Sequence, residues 1–203
     1  MASFSVRTLG FPEVRRDGRT SPFALRKGLA LLVYLAEAKG PVGRDAMATM
    51  LWPESPAEVV KARLRRLLHN LQLALGDVIA SDRSTVRLSD AIDLEIDSRL
   101  FEDACDRGEF ERACGLYQAD FLDGFSPGDC PQFDEWAFFR KEALRGRAIQ
   151  ALERVVQQKH AAADYAAAAA HAGRLVALDP LSEIYARHLI RNLLLGDPGP
   201  RRE

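Results

Sequence analysis

The clearest hydrophobic pattern in the chain runs from Ala57 to Gly76. Its large apolar residues recur at intervals of three and four, the spacing that places side chains on one face of an α-helix. The pattern therefore predicts an amphipathic helix that packs on a core through this face. The apolar face consists of Val60, Leu64, Leu67, Leu68, Leu71 and Leu75.

The opposite face and the margins of this helix carry basic and hydrogen-bonding side chains. Arginine can bond guanine edges, asparagine and glutamine can bond adenine, and an aliphatic side chain can contact a thymine methyl group. The face is therefore suited to the major groove of DNA, and an ordinary solvent-exposed helix surface is the alternative. The polar residues are Lys61, Arg63, Arg65, Arg66, His69, Asn70 and Gln72, with Ala62 and Leu73 among them.

The residues before this helix predict a small sheet and two further helices. Residues 4–10 alternate in polarity, and Asp17-Gly18 is a strong hairpin-turn pair. Helical spacing predicts helices over residues 26–38 and 46–52. The prolines of the segment 53–56 then break the chain before the long helix.

Strand-forming residues follow the long helix. Residues 78–80 and 85–88 predict two strands about a turn at 81–84, and residues 92–96 predict a short extended stretch. The order of sheet, helix, helix, loop, long helix and hairpin is that of a winged helix-turn-helix. Arg83 and Arg87 of the hairpin are candidates for contact with the minor groove or the DNA backbone.

Helical patterns alone fill the second half of the chain. They predict an all-α domain of stacked helix pairs, and an alanine-rich helix closed by Asp179-Pro180 resembles tetratricopeptide repeats. We therefore predict a mainly α protein, with a winged helix-turn-helix and small antiparallel sheet over residues 1–96 and a tetratricopeptide-like domain over 97–203. The predicted helices cover residues 97–108, with Asp97 as a cap, 110–117, 133–160, 165–178 and 182–195.

The net charge of the chain is −1, but its two halves carry net charges of opposite sign. Residues 1–96 hold 14 Lys and Arg against 11 Asp and Glu, a net +3, whereas residues 97–203 hold 14 against 18, a net −4. A basic region on a balanced chain is compatible with phosphate contact. No apolar run approaches the ~18 residues of a membrane span and no secretory signal is visible, so we expect a cytoplasmic protein without membrane contact.

Catalytic and metal-binding motifs are absent from the sequence. It contains no GxxxxGK[ST], GxGxxG, HExxH or GxSxG, so we predict no enzymatic activity and no cofactor. Cys105, Cys114 and Cys130 lack CxxC spacing and are expected to be reduced thiols rather than zinc ligands. The histidines form no pair at metal-ligand spacing, so no metal site is predicted.

Five stretches of the chain resemble, in order, one family of regulators. The family comprises bacterial transcriptional activators in which an OmpR/PhoB-type winged helix-turn-helix precedes a tetratricopeptide-like bacterial transcriptional activator domain, as in regulatory proteins of antibiotic pathways. The resemblance implies a sequence-specific DNA-binding regulator, an activator that recruits RNA polymerase. The stretches are LRKGLALLVYLAEAKGPVGRDAMATMLWPE, KARLRRLLHNLQLALGD, YQADFLDGF, FDEWAFFRKEALRGRAIQALERV and DYAAAAAHAGRLVALDPLSEIYARHLIRNLL.

The resemblance also implies partners and a second contact site. In this class the loop before the long helix faces RNA polymerase, which assigns that contact to Pro53, Glu54 and Ser55. Double-stranded DNA is the main partner, and a second copy of the chain on DNA and another protein on the helical surface are further candidates. The family has basic residues where this chain has Asn70, Gln72 and Leu73, so DNA binding by a single copy is expected to be weak. The alternative is a non-catalytic interaction scaffold that no longer binds DNA.

Overall fold

The computed structural model describes residues 3–20, 25–38 and 40–196. The fold is mainly helical, with a winged helix-turn-helix at the N-terminus and helix pairs after it, as the sequence predicts. Contacts along the chain define two units. The first unit comprises residues 1–100 and 118–142, and the second comprises residues 101–117 and 143–203.

Within the residues that the structure describes, the winged helix-turn-helix contains three helices and seven short strands. Its long helix begins at Ala57 and ends at Leu75, one residue before the end of the hydrophobic pattern, and its six apolar residues are all buried. The elements are β1 (Ser3–Arg7), β2 (Glu13–Arg16), β3 (Arg19–Thr20), α1 (Arg26–Glu37), β4 (Val42–Gly43), α2 (Arg44–Leu51), α3 (Ala57–Leu75), β5 (Ile79–Ser81), β6 (Thr85–Leu88) and β7 (Asp93–Ile96).

Five helices follow these elements in the described part of the chain, which ends at residue 196. Within the described residues, no helix is long and apolar enough to cross a membrane, and no group of three or more His, Cys, Asp and Glu residues could hold a metal ion. The helices are α4 (Asp97–Asp106), α5 (Phe110–Leu116), α6 (Pro131–Ala161), α7 (Tyr165–Leu178) and α8 (Glu183–Gly196).

The strands form two small sheets. The first has the order β3-β2-β1-β7, with β1 antiparallel to β2 and parallel to β7. The second has the order β4-β6-β5 and is antiparallel throughout. The parallel pairing and the two-residue strand β4 are additions to the predicted sheet and hairpin, because neither leaves an alternating pattern in the sequence.

Asp97, expected as the cap of α4, also holds the end of the first strand. Its carboxylate accepts hydrogen bonds from the backbone N of Thr8 at 2.7 Å, from Thr8 Oγ1 at 2.8 Å and from the backbone N of Leu9 at 3.0 Å. It also accepts a bond from the backbone N of Ser98 at 2.8 Å, at the start of α4. Thr8 is fully buried. This one carboxylate therefore satisfies buried donors that would be costly to leave unpaired.

Residues 118–142 lie within the predicted second domain but pack in the first unit. The backbone N of Leu122 donates to the carbonyl of Thr8, and the backbone N of Gly10 donates to the carbonyl of Asp120, both at 2.9 Å. These bonds fix the segment beside the end of β1.

An aromatic cluster connects this segment to α1. The Trp136 ring lies 4.7 Å from the Tyr34 ring, 5.2 Å from the Phe133 ring and 5.9 Å from the Phe121 ring, measured between centroids. Phe121 and Phe133 are at most 2% exposed. Because large aromatic side chains contribute much of a core's stability, the segment is part of the core of the first unit.

A buried charge joins α1 to the first turn of α4 and to the third turn of α6. The Glu37 side chain is only 4% exposed. Its Oε2 lies 2.6 Å from Arg140 Nη2 and 2.7 Å from Arg140 Nε, and its Oε1 accepts a hydrogen bond from the buried Ser98 hydroxyl. The carboxylate is therefore both charge-paired and hydrogen-bonded, as a buried charge requires.

The second unit is helical, and α7 buries three of its alanines. Asp164 caps α7 by accepting a bond from the backbone N of Ala167 at 3.2 Å. Arg174 donates to the carbonyls of Cys114 and Tyr117 at the end of α5. Burial raises the pKa of the Cys114 thiol to about 11. All three cysteines are free thiols.

Candidate nucleic-acid interface

The outer face of α3 presents most of the polar residues singled out in the sequence. Lys61, Arg65, Arg66, His69 and Gln72 are exposed on this face, whereas Asn70 is half-buried at its margin. Leu73 is 74% exposed among them. The helix thus separates an apolar buried face from a basic outer face that also carries one large aliphatic side chain.

The wing hairpin is held beside α2 by the short strand β4. Gly43 pairs with Thr85 across β4 and β6, and the backbone N of Arg44 donates to the carbonyl of Ser84 at 2.8 Å. Arg44 Nη1 then donates to the carbonyl of Asp82 at 3.0 Å. These bonds fix the wing tip close to the N-terminus of α2.

A groove of about 710 Å³ lies between α2, α3 and the wing. We call it the basic groove, because four of its lining residues are basic and two are acidic. Leu64 of α3 and Ala48 of α2 form the apolar part of its lining. The charged lining residues are Arg44, Lys61, Arg65 and Arg83, with Asp45 and Asp82.

The tip of the wing is an ordered turn. Asp82 Oδ1 accepts hydrogen bonds from the backbone N of Ser84 and of Thr85, both at 2.7 Å, and Asp82 Oδ2 accepts one from Thr85 Oγ1 at 2.8 Å. The Ser84 hydroxyl adds a bond to Oδ1 at 3.0 Å. The two backbone bonds, followed by those from the hydroxyls, hold the pKa of Asp82 well below its ordinary value. The turn leaves Arg83 exposed at the tip.

Two of the predicted DNA-binding arginines bond to neighbouring residues. Arg63 Nη1 donates to the Ser55 hydroxyl at 2.8 Å, at the margin of α3. Arg87 pairs with Asp90 and lines a separate depression of about 700 Å³ that also includes Pro41 and Arg99. Arg83 and Arg87 therefore line different surfaces, although they lie four residues apart in the sequence.

Arg44 is the basic-groove residue that sequence reasoning missed. Gly43-Arg44-Asp45 indicates only the start of a helix, and Arg44 is far in sequence from both α3 and the wing. The pairing of β4 with β6 brings it to the groove. A basic residue in the first turn of the helix before a recognition helix was the available signal, since helix N-termini commonly contact phosphate.

The loop from Pro53 to Ser55 begins from a firmly held helix end. Lys27 Nζ donates to the carbonyl of Leu51 at 2.6 Å and lies 5.4 Å from the centroid of the Trp52 ring. Glu54 is exposed, whereas Pro53 and Ser55 are half-buried. The loop therefore presents the Glu54 carboxylate on a fixed support.

The architecture defines a winged helix-turn-helix protein with a helical-repeat region. Residues 97–196 match the family described as the bacterial transcriptional activator domain. This match confirms, for residues 97–196, the resemblance seen in the sequence.

A solved structure has a similar fold. It is Mycobacterium tuberculosis EmbR in complex with a low-affinity phosphopeptide, with a TM-score of 0.72 and 24% sequence identity. The match covers 96% of this chain and 55% of that chain, so the present chain spans about half of its length. No curated protein matches the sequence.

Proposed function

We propose that the chain is a sequence-specific DNA-binding transcriptional activator. The observation that carries the proposal is the basic groove, in which Arg44, Lys61, Arg65 and Arg83 converge from α2, α3 and the wing. Cationic side chains from three elements on one concave surface suit the sugar-phosphate backbone of a duplex. The match of residues 97–196 to the bacterial transcriptional activator domain family supports the same conclusion.

Base recognition is assigned to the central outer face of α3. Arg66 and His69 are both exposed there. Arginine recognises guanine through two donors, and Leu73 offers an aliphatic contact for a thymine methyl group. In this proposal α3 reads bases in the major groove while the basic groove holds the adjacent backbone.

The two roles predict different effects for two arginine substitutions. Arg44→Ala should weaken binding to all duplexes about equally and lower the slope of log affinity against log salt by about one, because one phosphate contact is lost. Arg66→Ala should instead cost about 1–3 kcal/mol on the preferred sequence and relax selectivity at one base position. Fluorescence anisotropy over a salt series, with sequences selected from random duplexes, measures both effects.

Arg154→Ala is the matched control, since Arg154 is an exposed arginine of the second unit. It should change neither the slope nor the selected sequence. A salt-independent affinity of the unmodified chain would refute DNA binding, and a base-selective loss in Arg44→Ala would assign Arg44 to base reading.

RNA polymerase recruitment is assigned to Pro53, Glu54 and Ser55. Glu54 supplies an exposed carboxylate, and the loop starts at the helix end held by Lys27. A rigid charged loop suits a recruiting contact because little conformational entropy is lost on docking.

Glu54→Ala should therefore reduce transcription from a target promoter without changing DNA affinity. We choose this single substitution because Ser55→Ala would also remove the acceptor of the Arg63 hydrogen bond. Transcription in a purified system and anisotropy on the same promoter provide the two readouts.

Asp103→Ala, at an exposed carboxylate of α4, is the control and should affect neither measurement. Equal loss of binding and transcription in Glu54→Ala would give the loop a supporting role only. Full transcription by Glu54→Ala would exclude its carboxylate as the recruiting contact.

A second candidate function is a protein-interaction scaffold. It is favoured by the exposed Leu73 on the outer face of α3 and by the pairing of Arg87 with Asp90, which reduces the positive charge available on the wing. The salt series separates the candidates, because a protein-only module has no phosphate contacts and gives no slope with salt on random duplex.

A further inference from the structure

A second concave surface of the first unit combines aliphatic and arginine side chains. It is the depression of about 700 Å³ that Arg87 and Arg99 line, and we call it the arginine pocket. Residues of α1, β6, β7 and the first turn of α4 contribute to it, and all of them belong to the first unit. Its large aliphatic residues are Leu35, Leu88, Ile92 and Leu94.

The aliphatic part of the pocket is only partly covered by the chain itself. Leu35 is 2% exposed, whereas Leu88, Ile92 and Leu94 are half-buried. Each of these three side chains therefore keeps some apolar surface in contact with water. Removing that surface from water is favourable, so the pocket favours a ligand with an apolar body.

The chain orients both arginines at the pocket. Arg99 Nη2 donates to the carbonyl of Ala38 at 2.9 Å, and Arg87 pairs with Asp90. The bond from Arg99 is to a neutral carbonyl, so it does not neutralise the guanidinium charge. The Asp90 side chain is 87% exposed, so solvent screens its attraction for Arg87. A guanidinium carries five N–H donors, and these contacts leave donors available to a ligand.

We propose that the arginine pocket binds a small organic acid, a carboxylate carried on an aliphatic or aromatic body. Arginine recognises a carboxylate through two parallel N–H bonds, and the aliphatic residues would cover the body of the ligand. The pocket volume lies within the ~300–1,000 Å³ of small-molecule sites, which combine an apolar lining with a few polar groups.

The arginine pocket shares no lining residue with the basic groove. The proposal is therefore independent of DNA binding, and either one can fail without the other. It gives Arg87 and Arg99 a carboxylate as partner in place of a DNA phosphate.

Amide NMR spectra of the whole chain, titrated with phenylbutyrate, test the proposal. The largest shifts should occur at lining residues such as Leu88, Leu94 and Arg99. Phenylbutylamine has the same apolar body and the opposite charge. It should bind at least tenfold more weakly, because its ammonium group would approach two guanidinium groups.

Two substitutions separate the charge of the pocket from its shape. Arg99→Ala should raise the dissociation constant of phenylbutyrate about tenfold, the factor that a hydrogen bond between charged groups contributes to affinity. Gly40→Leu should weaken binding as much, since a Cβ at this lining residue would meet no atom within 4 Å and the leucine can extend into the pocket. Arg154→Ala, at an exposed arginine of the second unit, is the control and should bind normally.

Unchanged amide positions away from the pocket show that each variant is folded. Equal binding of phenylbutyrate and phenylbutylamine would overturn the proposal, as would phenylbutyrate shifts that avoid the lining residues. Shifts there with a short DNA duplex or an acidic peptide, and none with phenylbutyrate, would overturn it as well and assign the arginines to that partner.

Discussion

A chain shortened to residues 1–96 should lose the cooperative unfolding transition of the first unit. It lacks the aromatic residues of segment 118–142, and burying one large aromatic side chain is worth about 3–5 kcal/mol by the cost of its truncation to alanine. Whole domains are stable by only about 5–15 kcal/mol. It also lacks Asp97, which leaves the buried donors of Thr8 and Leu9 without their carboxylate.

Urea titration followed by circular dichroism measures this loss. A chain ending at Glu142 is the matched comparison, because it keeps Asp97 and the segment 118–142 that pack in the first unit. It should retain a cooperative transition, whereas the shorter chain should not. A sharp transition in the shorter chain would mean that the aromatic cluster adds little to the stability of the winged helix.

Arg140→Ala should lower the free energy of unfolding of the first unit by about 3 kcal/mol. Removing one member of a buried ion pair leaves an uncompensated charge and typically costs about 3–5 kcal/mol. We expect the low end because the Arg140 side chain is itself 22% exposed. Trp52 and Trp136, both in the first unit, provide a local fluorescence signal for urea titration.

Glu37→Gln in the Arg140→Ala background should recover much of that stability. Glutamine removes the unpaired charge and keeps an acceptor for the buried Ser98 hydroxyl. Arg154→Ala, which removes an exposed arginine elsewhere, should leave the tryptophan transition unchanged. If the double variant were no more stable than Arg140→Ala, the loss would have to come from packing rather than from the buried charge.

The sequence was sufficient for α3 because the information there is local. Six apolar residues recur with the period of one helix face, so their burial follows from the pattern alone. The helix stops are local in the same way, since each depends on a few adjacent residues. These elements agree with the structure to within a residue or two.

The contacts of residues 118–142 could not be read from the sequence in this way. Their partners include Thr8, Gly10 and Tyr34, more than 80 residues away, and no periodicity encodes that proximity. The glycines and prolines between residues 120 and 131 indicate only a loop. A helical pattern in a segment therefore does not show in which of the two units the segment packs.

The same difference between local patterns and contacts distant in sequence applies to the candidate nucleic-acid interface. Side chains on one helix, such as Lys61 and Arg65, were assigned to one surface because helical geometry fixes their relation. Arg44 was missed, and Arg83 and Arg87 were grouped together, because their positions depend on the pairing of β4 with β6. DNA contact by any of these residues remains a prediction.

The turn around Asp82 also has a consequence for the thermodynamics of association. Loops that order only on binding lose conformational entropy at that moment, and this loss subtracts from their affinity. The backbone of the wing tip is already fixed by the Asp82 carboxylate. In the proposed complex with DNA, the entropy of ordering this turn is therefore lost when the chain folds and not when it binds. A small exposed hairpin can thereby contribute to affinity through a single arginine.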